Sequence, residues 1–221
     1  MDNEQLTHET RSFVAHQFDD LEQQKEAGTL GMWAFLATEI LFFGGMFMAY
    51  LVYRFSYPQV FAAASQYMDV VLGGVNTGVL LVSSLTMALA VHAAQEGNRK
   101  QIITFLIITM IFGAIFLVIK GVEYHHKFVE HLVPGYNFQY EGAEPGKSEI
   151  YFILYFVMTG FHALHLIIGI VVLTVIAIMT ARGRFTKEYY TPVEISGLYW
   201  HFIDIVWIFL YPLLYLIHVH K

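Results

Sequence analysis

Eleven histidines and the carboxylates carry whatever metal or proton chemistry this sequence can do, because its 221 residues include no cysteine. That rules out disulfides, thiolate-held iron–sulfur clusters, c-type haem attachment, Cys-type zinc sites and a cysteine nucleophile. Residues 159–165 read Thr-Gly-Phe-His-Ala-Leu-His, and His162, His165 and Gly169 recur at i, i+3 and i+7, one face of a helix. Two histidines so spaced could both meet a metal, or one could ligate a haem. Residues 199–204 read Tyr-Trp-His-Phe-Ile-Asp; His201 and Asp204 share a face, and Trp200, Asp204, Trp207 and Tyr211 form a stripe. A buried aspartate beside imidazoles also has a reason to exist without metal, since each satisfies the other's hydrogen bonds. Glu39 is isolated in an apolar run, where it serves either as a proton-linked or partner-docking carboxyl or as a neutral acid bonded to a neighbouring helix. Lys120–Glu123 and Glu123–Lys127, at i, i+3 and i, i+4, predict a local ion-pair cluster at a membrane interface. His125, His126 and His131, like His92 and the terminal His218 and His220, read as interfacial histidines. No Gly-rich phosphate loop, HExxH or serine nucleophile elbow is present.

The elements that must hold these residues are membrane helices. The chain is 57% hydrophobic and 14% charged, with a mean hydropathy of +0.54; soluble domains are about a quarter charged. A crossing helix needs roughly 20 mostly apolar residues. Five runs qualify: 30–53, whose only charge is Glu39; 70–93; 102–119, extending past Lys120 to 124; 150–181; and 195–220, whose only charge is Asp204. These predict an all-α integral membrane protein, a five-helix bundle over residues 30–221, preceded by an acidic segment, 1–29, with amphipathic character. In run 70–93, Gly73, Gly74, Asn76, Thr77, Gly78, Ser83, Ser84 and Thr86 predict close helix packing with bonds across the interface. Pro134, Gly135, Gly142, Pro145 and Gly146 make 125–147 an irregular connection. The net charge of −6, from 12 basic and 18 acidic residues, speaks against a nucleic-acid partner.

Arg11, Lys25, Arg99, Lys100, Arg182, Arg184 and Lys187 fall on one side of such a bundle, against Arg54, Lys127, Lys147 and Lys221 on the other. The excess places the N-terminus in the cytoplasm and the C-terminus outside. The first 29 residues lack a basic n-region and an apolar h-region and are not read as a cleavable signal peptide. They mix Leu6, Phe13, Val14, Phe18 and Leu21 with acids, a pattern suited to an interfacial or partner-bound helix.

Taken together, these segments resemble subunit III of the haem–copper terminal oxidases. The resemblance is carried by residues 30–35, Leu-Gly-Met-Trp-Ala-Phe, running to Glu39, Phe42 and Phe43, and by Asn76-Thr77 with Leu80, Leu81, Ser83, Ser84 and Thr86. It continues in Gly121-Val122-Glu123-Tyr124, in the 159–165 histidine motif, and in 199–204 followed by Val206-Trp207. It covers about residues 28–217 in order. The resemblance implies an accessory subunit without haem or copper of its own, bound mainly to oxidase subunit I, with subunit II and other respiratory subunits nearby. It also implies support of proton uptake, of bound phospholipid and of sustained turnover in a bacterial cytoplasmic (inner) membrane. By that likeness Glu39 is the buried carboxyl, and Glu123, His162, His165, His201 and Asp204 form the inter-helix polar set. Arg182 and Arg184 are candidates for lipid phosphates.

Longer members of that family carry two further helices ahead of the one bearing the buried carboxyl, a place partner helices are expected to take in the short five-helix form. The electron donor implied is cytochrome c, with quinol as the alternative and a nitric-oxide-reductase-associated subunit third. Two unrelated readings compete. A free-standing b-type cytochrome would pair His162 or His165 with His201 or His92, but these fall at poorly matched depths. A small proton-coupled transporter using Glu39 and Asp204 would favour broken helices, whereas the runs here are continuous.

Overall fold

A computed structural model of the chain describes residues 14–135, 138–142, 144–187 and 189–217. The expected Arg11, Leu6 and Phe13 of the N-terminal segment, and His218, His220 and Lys221, lie outside the described residues. Within them the fold is all-helical: α1 (Leu21–Ser56), α2 (Pro58–Ser65), α3 (Val70–Gln95), α4 (Arg99–Val129), α5 (Pro145–Ala181) and α6 (Thr191–Tyr215). All except α2 are long and apolar enough to cross a membrane, so the five expected spans are present.

Most boundaries follow from caps. Asp20 accepts a hydrogen bond from the Gln23 amide at 2.7 Å, and Gln23 reaches back to the Asp19 amide, so α1 starts nine residues before the predicted span. Asp69 caps α3 by accepting from the Val71 and Leu72 amides, each at 3.0 Å. Pro58, Pro145 and Pro192 open α2, α5 and α6 within their first two positions, where no amide donor is needed. The α4 helix continues through His125 and His126 to Val129, so the irregular connection begins later than predicted.

Three helices stop in the same way. After α3, the Asn98 amide bonds the Ala93 carbonyl and the Gly97 amide bonds Ala94; after α5, Arg184 bonds Met179 and Gly183 bonds Thr180. The residue after each cap must turn left-handed, which Gly97 (φ 72°) and Gly183 (φ 75°) do without a Cβ in the way. The end of α4 repeats the motif with His131 at φ 54°.

The bundle core is a set of interlocking seams. The buried face of α3 carries the row Gly73, Asn76, Leu80, Ser83, Met87, Ala90 and Ala94, with Thr86 and Ala93 buried beside it; that of α4 carries Ile102, Leu106, Thr109, Gly113, Phe116, Lys120, Glu123 and Lys127. Both rows alternate steps of three and four, the spacing of helices packed at a shallow left-handed angle. Thr86 and Thr109 hydroxyls meet across the α3–α4 seam at 2.8 Å. The most buried helix, α6, lies against α3 and α5, and α1 packs more lightly on α5 and α6. Trp200 of α6 is fully buried, its ring against Gly113 of α4 and Gly169 of α5, where an added Cβ would meet it at 2.9 and 3.1 Å. Its Nε1 donates to Ser83 Oγ of α3 at 3.0 Å, so one side chain ties together four helices.

Candidate functional site

Polar groups inside the spans form separate clusters. In the first, Glu39 Oε2 of α1 lies 3.0 Å from His165 Nε2 of α5, with both side chains largely buried. His165 Nδ1 is 2.8 Å from the Phe161 carbonyl, an acceptor only, so Nδ1 carries a hydrogen. Nε2 then either accepts a hydrogen bond from the Glu39 acid or donates one to the Glu39 carboxylate. In both arrangements the pair holds one proton between its two heads and is neutral overall, which makes these groups tolerable at that depth. Phe42 and Phe43 pack on the imidazole, and Tyr199 OH donates to the His165 carbonyl at 3.1 Å. A groove of about 520 Å³, lined by Met32, Phe35, Ile168, Val172 and Tyr199, opens beside the pair.

The second cluster is a buried cation. Lys120 was expected to share an interfacial ion-pair cluster; instead its ammonium is enclosed by α4, α5 and α6. It donates to Glu123 Oε2 at 3.0 Å, Tyr155 OH at 3.0 Å and Tyr215 OH at 2.8 Å. Glu123 Oε1 accepts from Tyr155 at 2.8 Å and from Tyr215 at 2.6 Å. The rings of Tyr124, Tyr155, Trp207 and Tyr215 all lie within 5.5 Å of Nζ, adding cation–π attraction. Lys127 does not pair with Glu123 as the spacing suggested; it bonds Glu130 at 2.7 Å, one turn nearer the helix end. The signal that places Lys120 and Glu123 inside is their position on the buried three-and-four row of α4.

This cluster sits beside a stapled helix end. Pro212 interrupts α6, and the last carbonyls of that helix are taken up from outside it. Tyr50 OH of α1 donates to the Leu213 carbonyl, and Tyr151 OH of α5 donates to Leu214 at 2.6 Å.

The remaining predicted residues do not join one network. His162 is buried between the rings of Phe116 and Trp207, whose centroids lie 5.4 and 5.1 Å from its own, and it faces a different neighbour from His165. Asp204 is also buried, its carboxyl beside the Ser84 hydroxyl of α3, and the His162 ring and the Asn76 amide have no side-chain hydrogen-bond partner among the described residues. His201 Nδ1 meets Ser84 Oγ of α3 at 2.7 Å. Exposed His92 approaches Glu96 at 3.5 Å. Arg182 and Arg184 are exposed at the end of α5. Among the described residues no group of three or more His, Asp or Glu is placed to hold a metal ion.

Comparison with known proteins adds to this geometry. The family profile described as cytochrome c oxidase subunit III matches residues 19–219. The cytochrome c oxidase subunit 3 of Loxodonta africana is 34% identical over 199 residues, spanning 86% of this chain and 70% of the relative. Those of Pelomedusa subrufa and Oncorhynchus mykiss are each 34% identical over 193 residues, spanning 84% of this chain and 67% of the relative.

Proposed function

We propose, for a chain that belongs to the cytochrome c oxidase subunit III family, the role of a cofactor-free accessory subunit in a cytochrome c-oxidising, proton-translocating terminal oxidase. The observation that carries this reading is the family match over residues 19–219, which takes in all five membrane helices. Haem and copper belong in this account to partner subunits, with subunit I the main contact and subunit II in the same complex. The chain supports proton uptake, phospholipid binding and the stability of subunit I during oxygen reduction.

The chemistry of the spans suits such a role. Glu39 and His165 satisfy one another, Lys120 is committed to Glu123 and two phenols, and His201 is committed to Ser84. His162 presents its ring to aromatic neighbours rather than to a second histidine. Groups occupied in this way join helices, the part that polar residues of an accessory subunit would play. Glu123, His162, His165, His201 and Asp204 are assigned as inter-helix polar residues, Glu39 as the proton-linked or buried carboxylate, and Arg182 and Arg184 as contacts to lipid phosphate. The membrane is the bacterial cytoplasmic membrane, with the basic turns at Gly97 and Gly183 on its cytoplasmic side and the Lys120 cluster toward the outside.

The test is a reduced-minus-oxidised optical spectrum of the purified assembly and of the chain separated from it. Haem bands are expected in the assembly and absent from the separated chain. A b-type band that stays with the chain would make its histidines ligands and overturn the reading.

A further inference from the structure

Where the α3–α4 turn touches the end of α5, Lys187 lies over Gly97 and Arg99 lies beside Gly183. Both segments are turns of the same left-handed kind, and each glycine leaves room for a basic side chain from the other segment. A Cβ at Gly97 would strike the Lys187 side chain at 2.7 Å, and one at Gly183 would lie 3.4 Å from an Arg99 guanidinium nitrogen. Lys100 follows Arg99, and Arg182 and Arg184 flank Gly183, so the turns interlock two groups of like charge. Among the described residues none of the five has an ion pair, and the neighbouring Glu96 faces His92. Like charges held together at a membrane surface, where water screens less than in bulk, are relieved by a bound anion. The guanidinium fork favours phosphate oxygens, and Lys187 supplies a point charge beside it.

We propose that the interlocked turns at Gly97 and Gly183 form a binding site for the phosphate of an anionic phospholipid head group, with Arg99 and Lys187 as its central ligands. The inference rests on the assignment of Arg182 and Arg184 to lipid phosphate and extends it to a second segment of the chain. The occupant is a lipid and not a soluble anion because the turns cap helices that cross the bilayer, which places the cations at head-group depth.

The experiment uses the intact oxidase complex in detergent, titrated with phosphatidylglycerol or phosphatidylcholine and followed by native mass spectrometry. Each basic side chain near an anionic surface accounts for roughly fivefold in affinity, so R99Q/K187Q should bind phosphatidylglycerol ~30-fold more weakly, with phosphatidylcholine unchanged. The charge-preserving R99K/K187R should retain most of the binding. Equal phosphatidylglycerol binding by wild type and R99Q/K187Q overturns the proposal. If R182Q/R184Q alone weakens binding, the earlier assignment stands and this extension fails. Displacement of phosphatidylglycerol by millimolar inorganic phosphate would make the site one for free phosphate and also overturn it.

Discussion

Glu123→Gln is expected to destabilise the bundle by about 3–5 kcal/mol, the usual consequence of removing one partner from a buried ion pair. Lys120 and Glu123 are 3% and 1% exposed, so the ammonium left behind has no route to water. The two phenols and the surrounding rings still solvate it in part, but neutral hydrogen bonds between membrane helices are worth only about 0.6 kcal/mol on average. The loss of the carboxylate charge therefore decides the outcome. Lys120→Met should be milder, since Glu123 keeps both tyrosine donors. The double variant Lys120→Met/Glu123→Gln should recover much of the loss, because no uncompensated charge then remains. Denaturant-driven unfolding in lipid–detergent micelles, read by tryptophan fluorescence, measures all three. Additive losses in the double variant would contradict a coupled pair.

Trp200→Ala should cost about 3–5 kcal/mol, the range for truncating a large aromatic side chain in a packed core. The indole fills the gap created by Gly113 and Gly169, and those glycines have no side chains with which to close the cavity left behind. The Ser83 hydroxyl, which still donates to the Thr109 carbonyl, adds a smaller penalty through the loss of its donor from Trp200. Trp200→Phe separates the two effects, because it keeps most of the ring while removing the N–H, and it should lose less than the alanine variant. The same unfolding measurement compares them. Equal and small losses for both would show that Trp200 is not the contact joining α3, α4, α5 and α6.

Much of this arrangement is legible in the sequence, through two kinds of signal. Continuous apolar runs give five spans because membrane helices must satisfy their backbones internally. Repeating steps of three and four give the seams, and the row Gly113, Phe116, Lys120, Glu123, Lys127 already places a charged pair on the buried face of α4. Reading Lys120 and Glu123 only as i, i+3 neighbours misses this, since local spacing reports that two residues meet but not which way they point. The short α2 was not anticipated, although Pro58 ahead of an alanine-rich run is a helix-start pattern. The Glu39–His165 contact joins residues 126 positions apart and has no local signature. An isolated carboxyl in a span announces that it needs a partner without naming it. Likewise, the meeting of Arg99 with Gly183 depends on the relative lengths and offsets of α4 and α5, which composition does not encode.

The most direct measurement of the accessory role is oxygen consumption by the oxidase before and after this chain is removed and then restored. The expected result is an initial rate close to that of the intact complex, faster loss of activity over successive turnovers, and recovery of sustained turnover when the chain is added back. Immediate loss of oxygen reduction on removal, with subunit I still folded and its haem spectrum intact, would contradict it by placing an essential step on this chain.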